Sequence, residues 1–284
     1  MPDLSLEDLR YEFADHVATI TFARPEKLNA FRARTMREFL DLLDVVDADD
    51  DVRAVVVTGD GRAFCAGADI SGGPAAFEST PEDKDEPAAA EPPRDGGGRL
   101  ALRIHDLKKP IIAAVNGASI GMGATMTLPM DVRLASSVAR FGFVFTRRGI
   151  IPEGCSSWFL PRVVGIGTAS EWMLTGRIVD AGEALAAGLV QAVHAPGELL
   201  PAAYALAREI ADNASPVSVA MTRRLLGRML GATDPTDAHL AESRGLTERS
   251  RSADAREGVA AFLEKRPARF PQRVSADYVA MWAD

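Results

Sequence analysis

One acidic residue stands alone in the stretch "GIIPEGCSSWFLP", which runs from Gly149 to Pro161 and is otherwise apolar or small. Glu153 follows a proline and precedes a glycine. A carboxylate with apolar neighbours has a raised pKa, which suits general acid and base catalysis near neutral pH. A plainer interpretation is an acidic residue in the first turn of a helix beginning at Pro152. The local sequence alone favours this second interpretation. The apolar residues expected around the carboxylate are Phe143, Phe145, Ile151 and Trp158.

Two glycine-containing turns could supply a second chemical element. "AFCAGADI", from Ala63 to Ile70, follows a β-branched strand, and "NGASIGMGATMTLPMD", from Asn116 to Asp131, follows another. The second turn leads into a short helix, whose first N–H groups have no partner within the helix. Two such turns side by side can direct two N–H groups at one point, which makes an oxyanion hole for acyl chemistry. Either turn alone is better explained by tight-turn glycines.

Other candidate residues carry less. Cys65 and Cys155 have no histidine nearby in the sequence and are interpreted as small packing residues. Asp131 lies at the entry of a strand and is interpreted as a structural hydrogen-bond acceptor. The sequence contains no Cys/His cluster at metal-ligand spacing, so no metal is expected. The four histidines fall in unrelated segments: His16, His105, His194 and His239.

Composition bounds the class of protein. The chain has 284 residues and a formal net charge of −8, which argues against nucleic acid as the main partner. The N-terminal residues lack the charged and apolar regions of a signal peptide. No apolar segment is long enough to span a bilayer. We expect a cytoplasmic globular protein with no membrane partner.

Strands alternate with helices in the first two thirds of the chain. "YEFADHVATITF" predicts two strands with a turn at residues 14–16, and "RAVVVTGDG" and "PIIAAVNG" predict two buried strands. Apolar residues at helical spacing predict helices in "RTMREFLDLLDVVDADD" and "RLALRIHDLKK". This order favours an α/β fold with mostly parallel pairing. The sequence shows no internal repeat.

Two composition changes divide the chain. Residues 71–99 are rich in Pro, Gly and acid, and predict a mobile surface insertion. A lid over a nearby site is the sharper interpretation of this insertion, and plain disorder is slightly favoured. After about residue 195 the pattern is helical. We therefore predict a core domain over 1–195 and a helical region over 196–284.

The two glycine-containing turns, together with several other motifs, resemble those of the crotonase, or enoyl-CoA hydratase/isomerase, superfamily. The resemblance includes both turns together with "RPEKLNAF", "KPIIAAVNG", "GIIPEG", "PRVVG" and "EGVAAFLEKRPARF". It implies a crotonase-like ββα spiral core, a helical C-terminal trimerisation region, and a homotrimer or hexamer. It also implies an acyl-CoA thioester as substrate, so that coenzyme A is part of the substrate and no separate cofactor is needed.

The resemblance assigns roles to particular residues. The backbone N–H groups of Ala68 and Met122 match the oxyanion donors, and the Met122 side chain would narrow the acyl pocket. Phe262 and Lys265 match residues that reach the nucleotide end of CoA, often across a subunit boundary. For Arg24, Lys27 and Lys265 the plainer interpretation is a solvated charge. The positions that match the remaining CoA contacts are Lys27, Leu28, Ala66, Gly67, Asp69 and Ile70.

The resemblance also constrains the reaction. A hydratase of this family holds one water between two glutamates, and those positions here are Thr125 and Phe145. Glu153 instead matches the single acid/base of peroxisomal-type Δ3,Δ2-enoyl-CoA isomerases. We therefore expect isomerisation of 3-enoyl-CoA to 2-enoyl-CoA through an enolate. The sequence leaves open another reaction of the same fold, such as thioester hydrolysis, decarboxylation or an unusual hydration, and also a non-catalytic acyl-CoA binder.

Overall fold

The structure is a computed structural model that describes residues 5–73 and 94–282. The predicted insertion therefore falls mostly on residues 74–93, which lie outside the described residues. The strands are β1 (Leu9–Ala14), β2 (Val17–Phe22), β3 (Ala54–Gly59), β4 (Ala63–Cys65), β5 (Ile111–Val115), β6 (Ala118–Ile120), β7 (Val132–Ser136), β8 (Arg140–Gly142), β9 (Ile178–Asp180) and β10 (Ala192–His194). The helices are α1 (Ala33–Ala48), α2 (Gly96–Asp106), α3 (Met122–Thr125), α4 (Ser156–Val164), α5 (Ile166–Thr175), α6 (Ala181–Ala186), α7 (Leu199–Asn213), α8 (Pro216–Met229), α9 (Pro235–Ser250), α10 (Ala253–Glu264) and α11 (Val274–Asp277).

The described strands form two sheets, and in each sheet neighbouring strands follow one another in the order in which they occur along the chain. The larger sheet has the order β1-β2-β3-β5-β7-β10, and the smaller has the order β4-β6-β8-β9. The predicted β1–β2 hairpin is antiparallel, and the other pairs of the larger sheet are parallel. The predicted α/β class with mostly parallel pairing is confirmed. Within the described residues a ββα unit occurs three times, as β3-β4-α2, β5-β6-α3 and β7-β8-α4, with its first strand in the larger sheet and its second in the smaller.

The continuous apolar character of β3 follows from burial on both faces of the larger sheet. Successive side chains of a strand point to opposite faces. Val55 and Val57 accordingly join the main core, whereas Val56 joins a second cluster on the other face. Helix α7 covers that other face through residues spaced four apart: Leu199, Ala203 and Ala207. The boundary predicted at residue 195 therefore separates the sheet from a helix that covers it, and α7 is physically part of the core.

Helix α2 begins earlier than the sequence indicated. The predicted insertion extended to Arg99, but Gly96, Gly97 and Gly98 form the first turn of α2. The cause is an N-cap that offsets the low helix propensity of glycine, because the Asp95 carboxylate accepts a hydrogen bond of 2.6 Å from Gly98 N–H. At the other end of the helix, buried Arg223 of α8 donates to the carbonyls of Ile104 and His105.

Arg223 also connects α2 to the start of the parallel strands β5 and β7. Its guanidinium lies 2.8 Å from Asp131, whose carboxylate in turn accepts from Ile111 N–H at 2.7 Å. The structural role predicted for Asp131 is therefore confirmed. In the part of the chain that the structure describes, no helix is long and apolar enough to cross a membrane.

Candidate active site

The two predicted turns meet where β4 and β6 end. These strands pair in parallel, so their carboxyl ends lie at the same edge of the smaller sheet. A Cβ built on Gly67 would lie 4.0 Å from the Cα of Gly121, and one built on Gly121 would lie 4.0 Å from the Cα of Gly67. Gly67 has a φ of +96°, a conformation that side chains rarely tolerate. The turns that precede Ala68 and Met122 are therefore in direct contact.

The backbone around Ala68 leaves one N–H group available. Phe31 N–H donates to Gly67 O, and Asp69 N–H donates to Phe31 O, both at 2.8 Å. Because Gly67 O and Asp69 N–H face the same neighbour, the intervening Ala68 N–H points the other way. Ala68 itself is exposed.

Met122 presents a similar N–H group. It is the first residue of α3, where helix geometry provides no acceptor. Among the described residues, no hydrogen bond involves the N–H of Ala68 or Met122. Both N–H groups are therefore available to donate to a bound ligand.

Glu153 lies beside the helix that begins at Met122. Thr125, the last residue of α3, is fully buried, and its hydroxyl lies 2.6 Å from Glu153 Oε1 and 3.3 Å from Met122 O. One hydroxyl therefore connects the predicted acid/base to the residue that carries a predicted oxyanion donor. Glu153 thus lies beside α3, and the contact between Gly67 and Gly121 places the Ala68 turn next to the start of the same helix.

The other oxygen of Glu153 occupies space that a side chain at Gly97 would need. A Cβ built on Gly97 would lie 1.3 Å from Glu153 Oε2. The first turn of α2 thus forms a wall of the site, and only glycine at this position leaves room for the carboxylate. Asp95 fixes this wall to the Glu153 loop, since its Oδ1 accepts from Gly98 N–H at 2.6 Å and from Gly154 N–H at 3.4 Å.

Burial raises the pKa of Glu153 from an ordinary 4.5 to about 7. The Thr125 hydrogen bond opposes this rise, and the nearby negative charge of Asp95 adds to it. A carboxyl group with a pKa near 7 can both accept and donate a proton at neutral pH. The raised pKa predicted from the sequence is thus present.

Two details of the sequence interpretation need correction. Helix α4 begins at Ser156, so Glu153 precedes it and is not in its first turn. The Glu153 carbonyl instead accepts from Ser156 N–H at 3.1 Å. Ile151 does not surround the carboxylate in an apolar shell, because it is 83% exposed. It belongs to an irregular loop whose direction no periodic pattern reveals.

The residues predicted to contact CoA near the N-terminal turn lie together. Ala66 N–H donates to Leu28 O at 3.0 Å, which joins the segment of Lys27 and Leu28 to the segment of Ala66 through Ile70. Lys27 and Ile70 are exposed, Leu28 and Ala66 partly exposed, and Gly67 buried. Exposed and partly exposed groups at these positions can contact a ligand.

Arg24 and Asp69 have structural partners. Arg24 donates to Ala30 O at 2.6 Å and to Asp69 at 3.1 Å, so its charge is not simply solvated. The Asp69 carboxylate also accepts from Ser71 N–H. These bonds leave Asp69 to shape the loop rather than to present a free carboxylate.

Phe262 and Lys265 lie elsewhere in the chain. Phe262 is on α10 and is 83% exposed, and Lys265 ends that helix in a left-handed conformation. Within the described residues, neither of them shares a hydrogen bond or ion pair with the loops around Lys27 and Ala66.

The cysteines pack as predicted. Cys65 is fully buried, and burial raises the pKa of its thiol to about 12. Burial and the negative charge of Asp95 also raise the pKa of Cys155. Neither thiol is activated as a nucleophile.

Sequence reasoning missed two functional contacts. Gly97 and Asp95 were assigned to the insertion because the run of glycines resembles loop composition. The available signal was an aspartate just before a helical pattern, which is typical of an N-cap. The sequence singled out Thr125 only because it occupies the position of a hydratase glutamate. Its hydroxyl contact with Glu153 was not predicted.

The pKa of Glu153 leads to a prediction about stability. A carboxyl whose pKa is higher in the folded state favours folding while it is protonated, and this advantage is lost as the pH rises through 7. Glu153→Gln carries no ionisable group. The difference in unfolding free energy, variant minus wild type, should therefore rise by about 2–3 kcal/mol between pH 5 and pH 8. Urea unfolding at both pH values and one protein concentration measures this, and an equal difference at both would contradict the shifted pKa.

Comparisons with known proteins agree on one family. The enoyl-CoA hydratase/isomerase family model matches residues 12–273. An enoyl-CoA hydratase of Alternaria alternata, AFT3-1, is 43% identical over 258 residues, which cover 90% of this chain and 83% of that protein. A 1,2-epoxyphenylacetyl-CoA isomerase of Escherichia coli is 33% identical, with 89% of this chain and 94% of that protein covered. The crystal structure of a "probable enoyl-CoA hydratase/isomerase" from Mycobacterium abscessus has a TM-score of 0.84 and 34% identity, over 93% of this chain and 99% of that one.

Proposed function

The chain belongs to the enoyl-CoA hydratase/isomerase family, and from this premise we propose that it converts a 3-enoyl-CoA into the conjugated 2-enoyl-CoA, with Glu153 as the only acid/base. The observation that carries this proposal is the nature of the groups around α3. Thr125 and Phe145 stand where the resemblance places the two glutamates of a hydratase. The carboxylate beside Thr125 comes instead from Glu153.

The reaction transfers one proton within the substrate. The Ala68 and Met122 N–H groups bind the thioester carbonyl oxygen. Glu153 takes a proton from C2, and the electron pair moves into the carbonyl to form an enolate. The protonated Glu153 then returns a proton to C4, while the double bond moves from C3–C4 to C2–C3. No water is consumed, so a second carboxylate is not needed.

The negative charge of Asp95 acts on Glu153 and raises its pKa. Asp95 is nevertheless a weaker candidate than Glu153 for proton transfer. Its Oδ1 already accepts from Gly98 N–H at 2.6 Å as the cap of α2. The same oxygen also accepts from Gly154 N–H at 3.4 Å, so it is occupied in joining the cap of α2 to the Glu153 loop. This supports a one-carboxylate mechanism over a paired one.

The assignment of CoA contacts includes a second copy of the chain. Within one chain the CoA contacts come from Lys27, Leu28, Ala66, Gly67 and Ile70, and Asp69 shapes their loop through its bonds to Arg24 and Ser71. Phe262 and Lys265 reach the nucleotide end from a neighbouring subunit of a homotrimer or hexamer. Large exposed apolar side chains on α10 support such an interface: Val259, Phe262 and Leu263 are 62%, 83% and 73% exposed.

Hydration of a 2-enoyl-CoA is the second candidate. It is favoured by the name of the Alternaria alternata relative, which is called a hydratase and is 43% identical. In this chain hydration would need Glu153 to activate water without the usual pair of glutamates. The name of the Escherichia coli relative, an isomerase, is compatible with the first candidate.

Two substrates separate these reactions. Purified protein is given a 3-enoyl-CoA and, separately, a 2-enoyl-CoA of the same chain length. We expect the ultraviolet absorbance of the conjugated thioester to rise with the first substrate and to stay constant with the second. Loss of that absorbance with the second substrate would establish hydration instead, and release of free CoA thiol would establish hydrolysis. Binding without turnover of either would identify an acyl-CoA binder.

A further inference from the structure

The hydroxyl of Thr125 has two acceptors and one proton. It lies 2.6 Å from Glu153 Oε1 and 3.3 Å from Met122 O. A carboxylate is the stronger acceptor, and charge-assisted O–H···O bonds have the shorter of these two lengths. The hydroxyl therefore donates to Glu153 while the carboxylate is charged.

The surroundings of Thr125 fix the direction of this bond. The residue is fully buried at the end of α3, and a β-branched side chain has few rotamers available there. A Cβ built on Gly154 would lie 2.9 Å from the Thr125 hydroxyl oxygen, so the Glu153 loop packs closely over it. The loop that carries Glu153 therefore lies directly against the hydroxyl.

The two oxygens of Glu153 are thus different. Oε1 accepts from Thr125, whereas Oε2 lies in the space left by the absent side chain at Gly97. We propose that Thr125 is a positioning residue, which holds Oε1 and leaves Oε2 as the oxygen that exchanges protons with the substrate. The catalytic part of this inference rests on the proposed function of Glu153, but the positioning part does not.

The hydroxyl also has a measurable effect on protonation. Its hydrogen bond stabilises the charged carboxylate and holds the pKa of Glu153 below the value that burial alone would give. Asp95, at the start of α2, is the charged group that acts on Glu153. The Glu153 charge in turn contributes to the raised pKa of the Cys65 and Cys155 thiols. Removing the hydroxyl leaves these groups in place.

Three variants test the inference. Thr125→Val removes the hydroxyl and keeps the shape, whereas Thr125→Ser keeps the hydroxyl. Thr127→Val is a matched control, because Thr127 is also buried and its hydroxyl donates to Ala124 O at 2.8 Å rather than to Glu153. The carboxyl titration is followed by ¹³C NMR on protein labelled at glutamate Cδ, with the Glu153 signal assigned by its loss in Glu153→Gln.

We expect the Glu153 titration midpoint of Thr125→Val to lie about one pH unit higher than in the wild type. The acid limb of kcat/KM should move by the same amount, and turnover at pH 7 should fall about fivefold because less of the carboxylate is charged. Thr125→Ser and Thr127→Val should keep the wild-type midpoint. An unchanged midpoint in Thr125→Val would overturn the inference. The NMR midpoint does not require turnover, so it tests the Thr125 hydrogen bond even if the proposed function is wrong. Full activity of Glu153→Gln would show separately that the proposed function is wrong.

Discussion

Glu153→Gln is expected to lower kcat for conversion of 3-enoyl-CoA to 2-enoyl-CoA by about a hundredfold or more. The amide keeps the shape of the carboxyl group and still accepts from Thr125, but it cannot take a proton from C2. A hundredfold loss corresponds to about 3 kcal/mol of transition-state stabilisation. Steady-state kinetics with the 3-enoyl-CoA measures kcat, and calorimetric titration with a saturated acyl-CoA measures the affinity.

The affinity for the saturated thioester should change little, because the predicted binding contacts are the N–H groups of Ala68 and Met122 and the loops around Lys27 and Ala66. Glu198→Gln is a suitable control for the loss of one carboxylate, since Glu198 is exposed in a turn before α7. Near-normal turnover in Glu153→Gln would mean that the base lies elsewhere. Loss of affinity together with turnover would instead indicate that the pocket itself has collapsed.

Elements with strong local patterns were predictable from the sequence. The continuous apolar runs of β3 and β5 identified buried strands, because a strand that is covered on both faces shows this pattern within its own residues. Ser215 followed by Pro216 is a local signal of a helix start, and α8 does begin there, with the Ser215 hydroxyl accepting from Ser218 N–H. The ββα repeat was not visible in the chain itself, because its three units share topology but not residues.

The site was predictable only where one segment carries its own signal. The turns at Gly67 and Gly121 require glycine for local reasons, and the carboxylate of Glu153 is conspicuous in its apolar stretch. The contact between Thr125 and Glu153 joins residues 28 positions apart. Its existence depends on how the Glu153 loop lies across α3, which no periodicity records. The same is true of Gly97, whose importance depends on a carboxylate 56 positions later in the sequence.

Gly97→Ala is expected to abolish most of the activity without unfolding the protein. The new Cβ would lie 1.3 Å from Glu153 Oε2, a distance that no side chain tolerates, so the carboxylate must move. A displacement of about 1 Å at a catalytic group can cost about a hundredfold in rate. Alanine is otherwise favoured over glycine in a helix by about 1 kcal/mol, which offsets part of the local strain.

Gly96→Ala provides the matched comparison one residue away in the same turn of α2. Its Cβ would meet the terminal methyl of Met36 at 3.0 Å, and the flexible methionine side chain can move aside. We expect this variant to keep wild-type kcat and to melt at the same temperature or slightly higher. Kinetics and thermal unfolding of both variants, measured side by side, distinguish contact with Glu153 from a general effect on the helix. Equal kcat values for Gly97→Ala and Gly96→Ala would contradict the placement of Oε2 against Gly97, because only one of the two new methyl groups competes with the carboxylate.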